Sequence, residues 1–196
     1  MQVKKQNILK LTGIGLLSAI VIVLQILGSF IHLGPFSISL VLLPIVIGCA
    51  LFGMSAGAWL GFVFGCAVLL SGDAAAFLTI NAPATVITVL AKGTLAGLAA
   101  GLVYRLLEKK NQMLATVAAA IVCPVVNTGV FLLGCVTFFM DTIRSWALTD
   151  FGDNVMLYMI VGLVGLNFLA ELAINLVFSP TVVYVINIGK KRFANK

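Results

Sequence analysis

Residues 163–179 read LVGLNFLAELAINLVFS, and this stretch decides the fold. Asn167, Glu171 and Asn175 stand at i, i+4 and i+8 of a run that is otherwise apolar from about residue 155 to 188. That spacing places all three on one helical face. The run is long enough to cross a bilayer, which takes roughly 20 apolar residues as a helix. Amides and a carboxylate at that depth are expensive in lipid, so they face a partner helix, a cavity or a ligand.

The rest of the chain repeats the pattern. Hydrophobic residues make up 62% of the 196 positions and charged residues 9%, too few charges for an ordinary soluble domain. The sequence predicts an all-α integral membrane bundle of six transmembrane helices, forming a single domain over 1–196. The expected spans are about 8–30, 38–53, 56–71, 83–107, 113–140 and 155–188. The second contains Pro44, the fourth starts at Pro83, and Pro124 and Pro180 fall inside the fifth and sixth. The first run is too long for the roughly 7–15-residue apolar core of a secretory signal. Cys49, Cys66, Cys123 and Cys135 all lie in apolar runs without a C-x-x-C pair, and read as small buried hydrophobes. His32 stands alone as histidine, so no metal site is expected.

Charge sets the orientation. Lys4, Lys5 and Lys10, then Arg105, Lys109 and Lys110, then Lys190, Lys191, Arg192 and Lys196 collect on one side. The other side holds Arg144 with Asp73, Asp141, Asp150 and Asp153. Both termini are therefore expected in the cytoplasm. This asymmetry accounts for the net charge of +6, and no nucleic-acid partner is needed.

Small residues recur every four positions. Gly53, Gly57, Gly61 and Gly65 form one ladder, Gly93, Gly97 and Gly101 another, and Gly15 with Ala19 a third. Such faces let helix backbones approach closely. The first two read as packing inside the bundle. The Gly15/Ala19 pair reads as a docking face for another membrane subunit.

Polar residues inside the spans define a candidate site. At about 1.5 Å per residue, Lys92, Asn127 and Asn167 lie roughly 13, 20 and 18 Å in from their outer ends, with Glu171 a turn deeper. Asn81, Thr85 and Thr88 share a face with Lys92. Asn127 shares one with Phe131 and Gly134. One cation, several amides and an aromatic wall suit a small polar ligand. The plain alternative is a Lys92–Glu171 ion pair that staples two helices. The outer connections, residues 71–81 and the segment bearing Trp146 and Phe151, read as a lid or as interfacial anchors. Asn175 lies nearest the cytoplasmic side and is the weakest candidate.

Enzyme chemistry finds no support in the sequence. There is no phosphate-binding G-x-x-x-x-G-K-[ST] loop, no H-E-x-x-H, and no nucleophile–histidine pairing. No two-fold repeat of the kind common in secondary transporters is visible. A self-sufficient transporter using Glu171 as proton site, and an assembly protein stapled by Lys92–Glu171, stand as the competing classes.

Several segments together resemble a known family. They are Gly15-Leu-Leu-Ser-Ala19, then Gly34-Pro35-Phe36-Ser37-Ile38-Ser39 running on to Leu42-Leu43-Pro44 and Leu51-Phe52-Gly53, and Gly57-Ala58-Trp59-Leu60-Gly61-Phe62. In combination they are similar to the substrate-binding S components of energy-coupling factor (ECF) transporters, over nearly the whole chain. The family's first-helix motif is commonly Ala-xxx-Ala, where this chain has Gly15-xxx-Ala19. The resemblance implies a multi-pass protein of a prokaryotic plasma membrane that captures a vitamin without catalysis or cofactor of its own. It also implies partners: a shared transmembrane coupling subunit (EcfT) and two cytoplasmic ATPases. Leu70-Ser71-Gly72-Asp73-Ala74, Lys92-Gly93-Thr94 and Pro124-Val125-Val126-Asn127-Thr128-Gly129 look closest to the pantothenate branch. Riboflavin and pyridoxine-type vitamins are the other ligands to weigh. The substrate-binding residues expected on this reading are Asn81, Thr85, Thr88, Lys92, Asn127, Phe131, Asn167 and Glu171.

Overall fold

The computed structural model describes residues 2–31, 39–152 and 154–194, with the side chains of 2–6, 150 and 192–194 left aside. Within them every regular element is helical. Five helices are long and apolar enough to cross a membrane. These are α1 (Gln2–Gly28), α3 (Met54–Ser71), α5 (Ala82–Leu107), α6 (Gln112–Phe138) and the last helix, α9 (Leu166–Ala194) with the turns that precede it. The expected second span is shorter: α2 covers Leu42–Phe52, 11 residues. At about 1.5 Å per residue it is roughly 17 Å long, against a hydrocarbon core of about 30 Å. Gly53, at φ +92°, ends α2 and starts α3 in a single residue. Gly53 is thus a helix break rather than the first rung of the glycine ladder. Pro44 sits in the first turn of α2, where its missing N–H removes no helical hydrogen bond.

The other rungs hold. A Cβ on Gly61 would run into the Gly93 carbonyl, and one on Gly93 into that of Gly61. Gly57 and Gly97 stand in the same reciprocal relation. α3 and α5 therefore pack antiparallel, backbone against backbone. In lipid, where no hydrophobic force separates helix from solvent, such close contact supplies the dispersion that holds a bundle together.

Two short helices lie in what reads as loop. α4 (Ala75–Leu78) interrupts the 71–81 connection, and α7 (Met140–Asp150) follows α6 after Phe139 alone. α7 buries Ile143 and Ala147, in step with Phe139, and exposes Arg144, which pairs with Asp141 at 3.6 Å. Its mixed composition hides it from a search for apolar spans. The chain then forms α8 (Val155–Leu157), capped by Asn154, and a wide π-helical segment over Tyr158–Gly165, before α9. α9 runs through Pro180.

The basic groups gather at one end of the bundle. Lys190 of α9 donates to Glu108, beyond the end of α5, at 3.0 Å. Nearby, a Cβ on Gly189 would meet Leu51, and one on Gly13 would meet Phe52. The start of α1, the α5–α6 turn and the end of α9 thus share that end. Lys196, Asp153, His32 and the 34–38 part of the family-like segment lie outside the described residues.

Candidate ligand-binding site

The polar stripe of α9 is buried along its length, and Ser179 extends it by one turn. Its lower half donates within the helix, while Asn175 Oδ1 is buried with no hydrogen-bond partner among the described residues. Asn175 Nδ2 donates to the Glu171 carbonyl at 2.7 Å, and Ser179 Oγ to that of Asn175 at 2.7 Å. Asn175 does not line the chamber described next. Its upper half, Asn167 and Glu171, opens into that chamber.

The chamber lies among α5, α6 and the start of α9. Thr85, Thr88, Lys92, Asn127, Phe131, Asn167 and Glu171 all line it. Asn81 does not. It is exposed and caps α5, its side chain accepting from the Ala84 N–H at 3.2 Å. Asn before a Pro-containing first turn is a helix-start signal, and that role uses the side chain. Gly134 also stays out of the chamber, because Thr88 packs where its Cβ would be.

Residues that periodicity does not reveal complete the walls. Ser39 approaches from the chain entering α2, and its backbone N–H donates to Glu171 Oε1 at 3.0 Å. Asp73 and Phe77 close the chamber from the α3–α5 connection. Asp73 accepts from Gln25 of α1, a fully buried amide whose Nε2 also lies 3.3 Å from Ser71 Oγ. Phe77 stacks edge-on against Phe131, Phe139 and Trp146, with centroids 5.6, 5.0 and 5.6 Å away. Trp146 therefore packs onto the aromatic roof. Water-molecule centres have about 80 Å³ of room inside. That is smaller than typical ligand cavities, which run from about 300 to 1,000 Å³.

The chamber's hydrogen-bonding capacity is unevenly used. Both carboxylates are engaged, Glu171 by Ser39 and Asp73 by Gln25. Lys92 is not. Its ammonium lies 5.3 Å from the Phe131 ring centroid and 5.9 Å from that of Phe64, and among the described residues no hydrogen bond or ion pair reaches it. The expected Lys92–Glu171 staple is thus not formed. Among the described residues, Thr88 Oγ1 and Asn127 Oδ1 are buried without hydrogen-bond partners. Unmet donors and acceptors around a concave space suit something polar. Among the described residues no cluster of three metal-ligating side chains occurs.

No curated protein and no solved structure matches the chain. The family model for the substrate-specific component of ECF transporters matches residues 9–183, nearly the full length. With its apolar helices, the chain is a multi-pass membrane protein and a substrate-specific subunit of an ECF importer. It belongs to the ECF transporter substrate-specific component family.

Proposed function

We propose that this chain captures a carboxylate-bearing vitamin, pantothenate first among them, in the chamber around Lys92. The observation that carries the reading is the Lys92 ammonium, which lines the chamber while both neighbouring carboxylates accept hydrogen bonds from Ser39 and Gln25. A ligand carboxylate would take the ammonium's donors as charge-assisted hydrogen bonds. A ligand amide and hydroxyls would meet Asn127, Thr88 and Asn167. The size of the chamber favours a compact ligand over a tricyclic flavin. A pyridoxine-type ligand is the second reading, and the aromatic roof of Phe77, Phe131 and Phe139 is what favours it.

On this reading the basic end of the bundle is cytoplasmic and the chamber receives its ligand from outside a prokaryotic plasma membrane. The chain performs no chemistry itself. Uptake is driven by two ATPases through the shared coupling subunit. Gly15 and Ala19 support a docking role for α1: both are exposed, and a Cβ on Gly15 would meet no atom within 4 Å. The test is mass spectrometry of small molecules released from the gently purified protein, followed by titration with a vitamin panel. Pantothenate bound near stoichiometrically supports the assignment. A different vitamin, or pantothenate without measurable affinity, refutes it.

A further inference from the structure

Among the described side chains of α1 only Val21, Gln25 and Gly28 are buried, and they share one face. Gln25 is the polar one, at 1% exposure. A buried amide in a membrane helix hydrogen-bonds across to a neighbouring segment. Gln25 finds its partners on the α3–α5 connection. Its Nε2 donates to Asp73 Oδ2 and to Ser71 Oγ, whose own proton goes to the Val68 carbonyl at 3.2 Å. A carboxylate only accepts, so the amide turns its NH2 toward Asp73. Among the described residues Gln25 Oε1 is then left buried without a hydrogen-bond partner. The hold on Asp73 outweighs that unmet acceptor. Gln25 itself does not line the chamber, whereas Asp73 does.

Asp73 and Lys92 stand at different levels of the chamber. The reciprocal contacts Gly57–Gly97 and Gly61–Gly93 fix the antiparallel register of α3 and α5. Carried to the end of α3, that register sets Ser71 level with about Pro83. Lys92 is then roughly 14 Å nearer the basic end of the bundle, at about 1.5 Å per residue. Asp73 follows Ser71 through Gly72, whose left-handed φ of +89° ends α3. The chamber therefore has an acceptor-only group at one level and a donor-only group at another.

We propose that Asp73 and Lys92 read the polarity of the ligand, and that Gln25 is the positioning residue that fixes Asp73. This rests on the capture of a carboxylate-bearing vitamin and adds the ligand's orientation to it. The anionic end of the ligand goes to Lys92. Asp73 takes an O–H or N–H from the other end, and turns an anionic end away by like-charge repulsion. A carboxylate has about four acceptor sites, enough to serve Gln25 and a ligand hydroxyl at once. Pantothenate has this polarity, with a carboxylate at one terminus and a primary hydroxyl at the other.

Isothermal titration with pantothenate, and with its analogue lacking the terminal hydroxyl, reports Asp73 as a ratio of affinities. In the unmodified chain the analogue should bind roughly 10-fold more weakly or worse. Asp73→Ala should bring the two affinities together. Gln25→Leu should reduce their ratio several-fold, and Gln25→Asn, one methylene short, should reduce it less. The ratio of pantothenate to pantothenol, which reports Lys92, should keep its value in all three variants. A loss of packing alone weakens every ligand alike and moves neither ratio. An undiminished hydroxyl ratio in both Gln25 variants overturns the positioning role. The same result in Asp73→Ala, or equal affinities in the unmodified chain, overturns the proposal. If pantothenate does not bind, the vitamin assignment fails, and pyridoxine with 4-deoxypyridoxine decides the role of Asp73 by the same ratio. Binding of neither vitamin rejects both.

Discussion

Replacing Lys92 by Met separates what the lysine does for the ligand from what it does for the fold. Met keeps the length of the side chain, so no large cavity opens beside Phe64 and Phe131. In the empty protein the ammonium has two ring faces at 5.3 and 5.9 Å and no hydrogen bond among the described residues. Cation–π contacts contribute about 0.5–2 kcal/mol. Removing an ion from water costs several kcal/mol after relaxation. The empty protein therefore carries Lys92 at a net loss, and Lys92→Met should leave the melting temperature unchanged or raise it. The bound state is the reverse. Hydrogen bonds to a charged group contribute about 1.5–3 kcal/mol, so an anionic ligand should bind roughly 10- to 150-fold more weakly. Isothermal titration with pantothenate and with pantothenol, whose carboxylate is replaced by an alcohol, completes the cycle. The neutral analogue should be nearly indifferent to the substitution, which assigns the loss to the charge pair. Equal losses for both ligands, or a melting temperature that falls with the affinity, would refute the reasoning and return Lys92 to a structural role.

Three further outcomes follow from the packing. Gly61→Ala forces a Cβ onto the Gly93 carbonyl and should destabilise the bundle by about 1–3 kcal/mol in thermal or denaturant melts; Gly61→Ala with Gly93→Ala should cost less than the sum, since one helix displacement relieves both. Gly15→Leu enters open space, so folding and vitamin binding should be unchanged while uptake with the coupling subunit and ATPases is lost; normal uptake would exclude this face from docking. Gln25→Leu removes the amide that holds Asp73 and Ser71 against α1, and should lower stability by about 1–3 kcal/mol, read as a drop in melting temperature that Gln25→Asn only partly restores.

How far the sequence reaches into this site depends on what each residue is attached to. Lys92, Asn127, Asn167 and Glu171 sit inside long spans, where a constant rise per residue converts position into depth and a constant turn converts spacing into a face. Those two constants suffice to bring residues 75 positions apart, such as Lys92 and Asn167, to one chamber. They fail at the ends of helices. Asn81 has the right face and roughly the right register, yet at an N-terminus the unsatisfied backbone N–H groups compete for its side chain, and the Ala84 N–H holds it. Ser39, Asp73 and Phe77 lie on connections, which have neither constant, and reach the chamber through contacts across the bundle. The same limit hides α7: Phe139, Ile143 and Ala147 keep helical spacing, but the helix covers the aromatic roof without crossing the membrane, so hydropathy ignores it. The π-helical segment is invisible for a different reason. Tyr158–Gly165 is as apolar as any spanning stretch, and nothing in its composition marks the wider turns. Leu163, Val164, Asn167, Phe168 and Glu171 nonetheless line the chamber at ordinary three- and four-residue steps, so the opening stripe's face is legible back to Leu163 in spite of the wider turns.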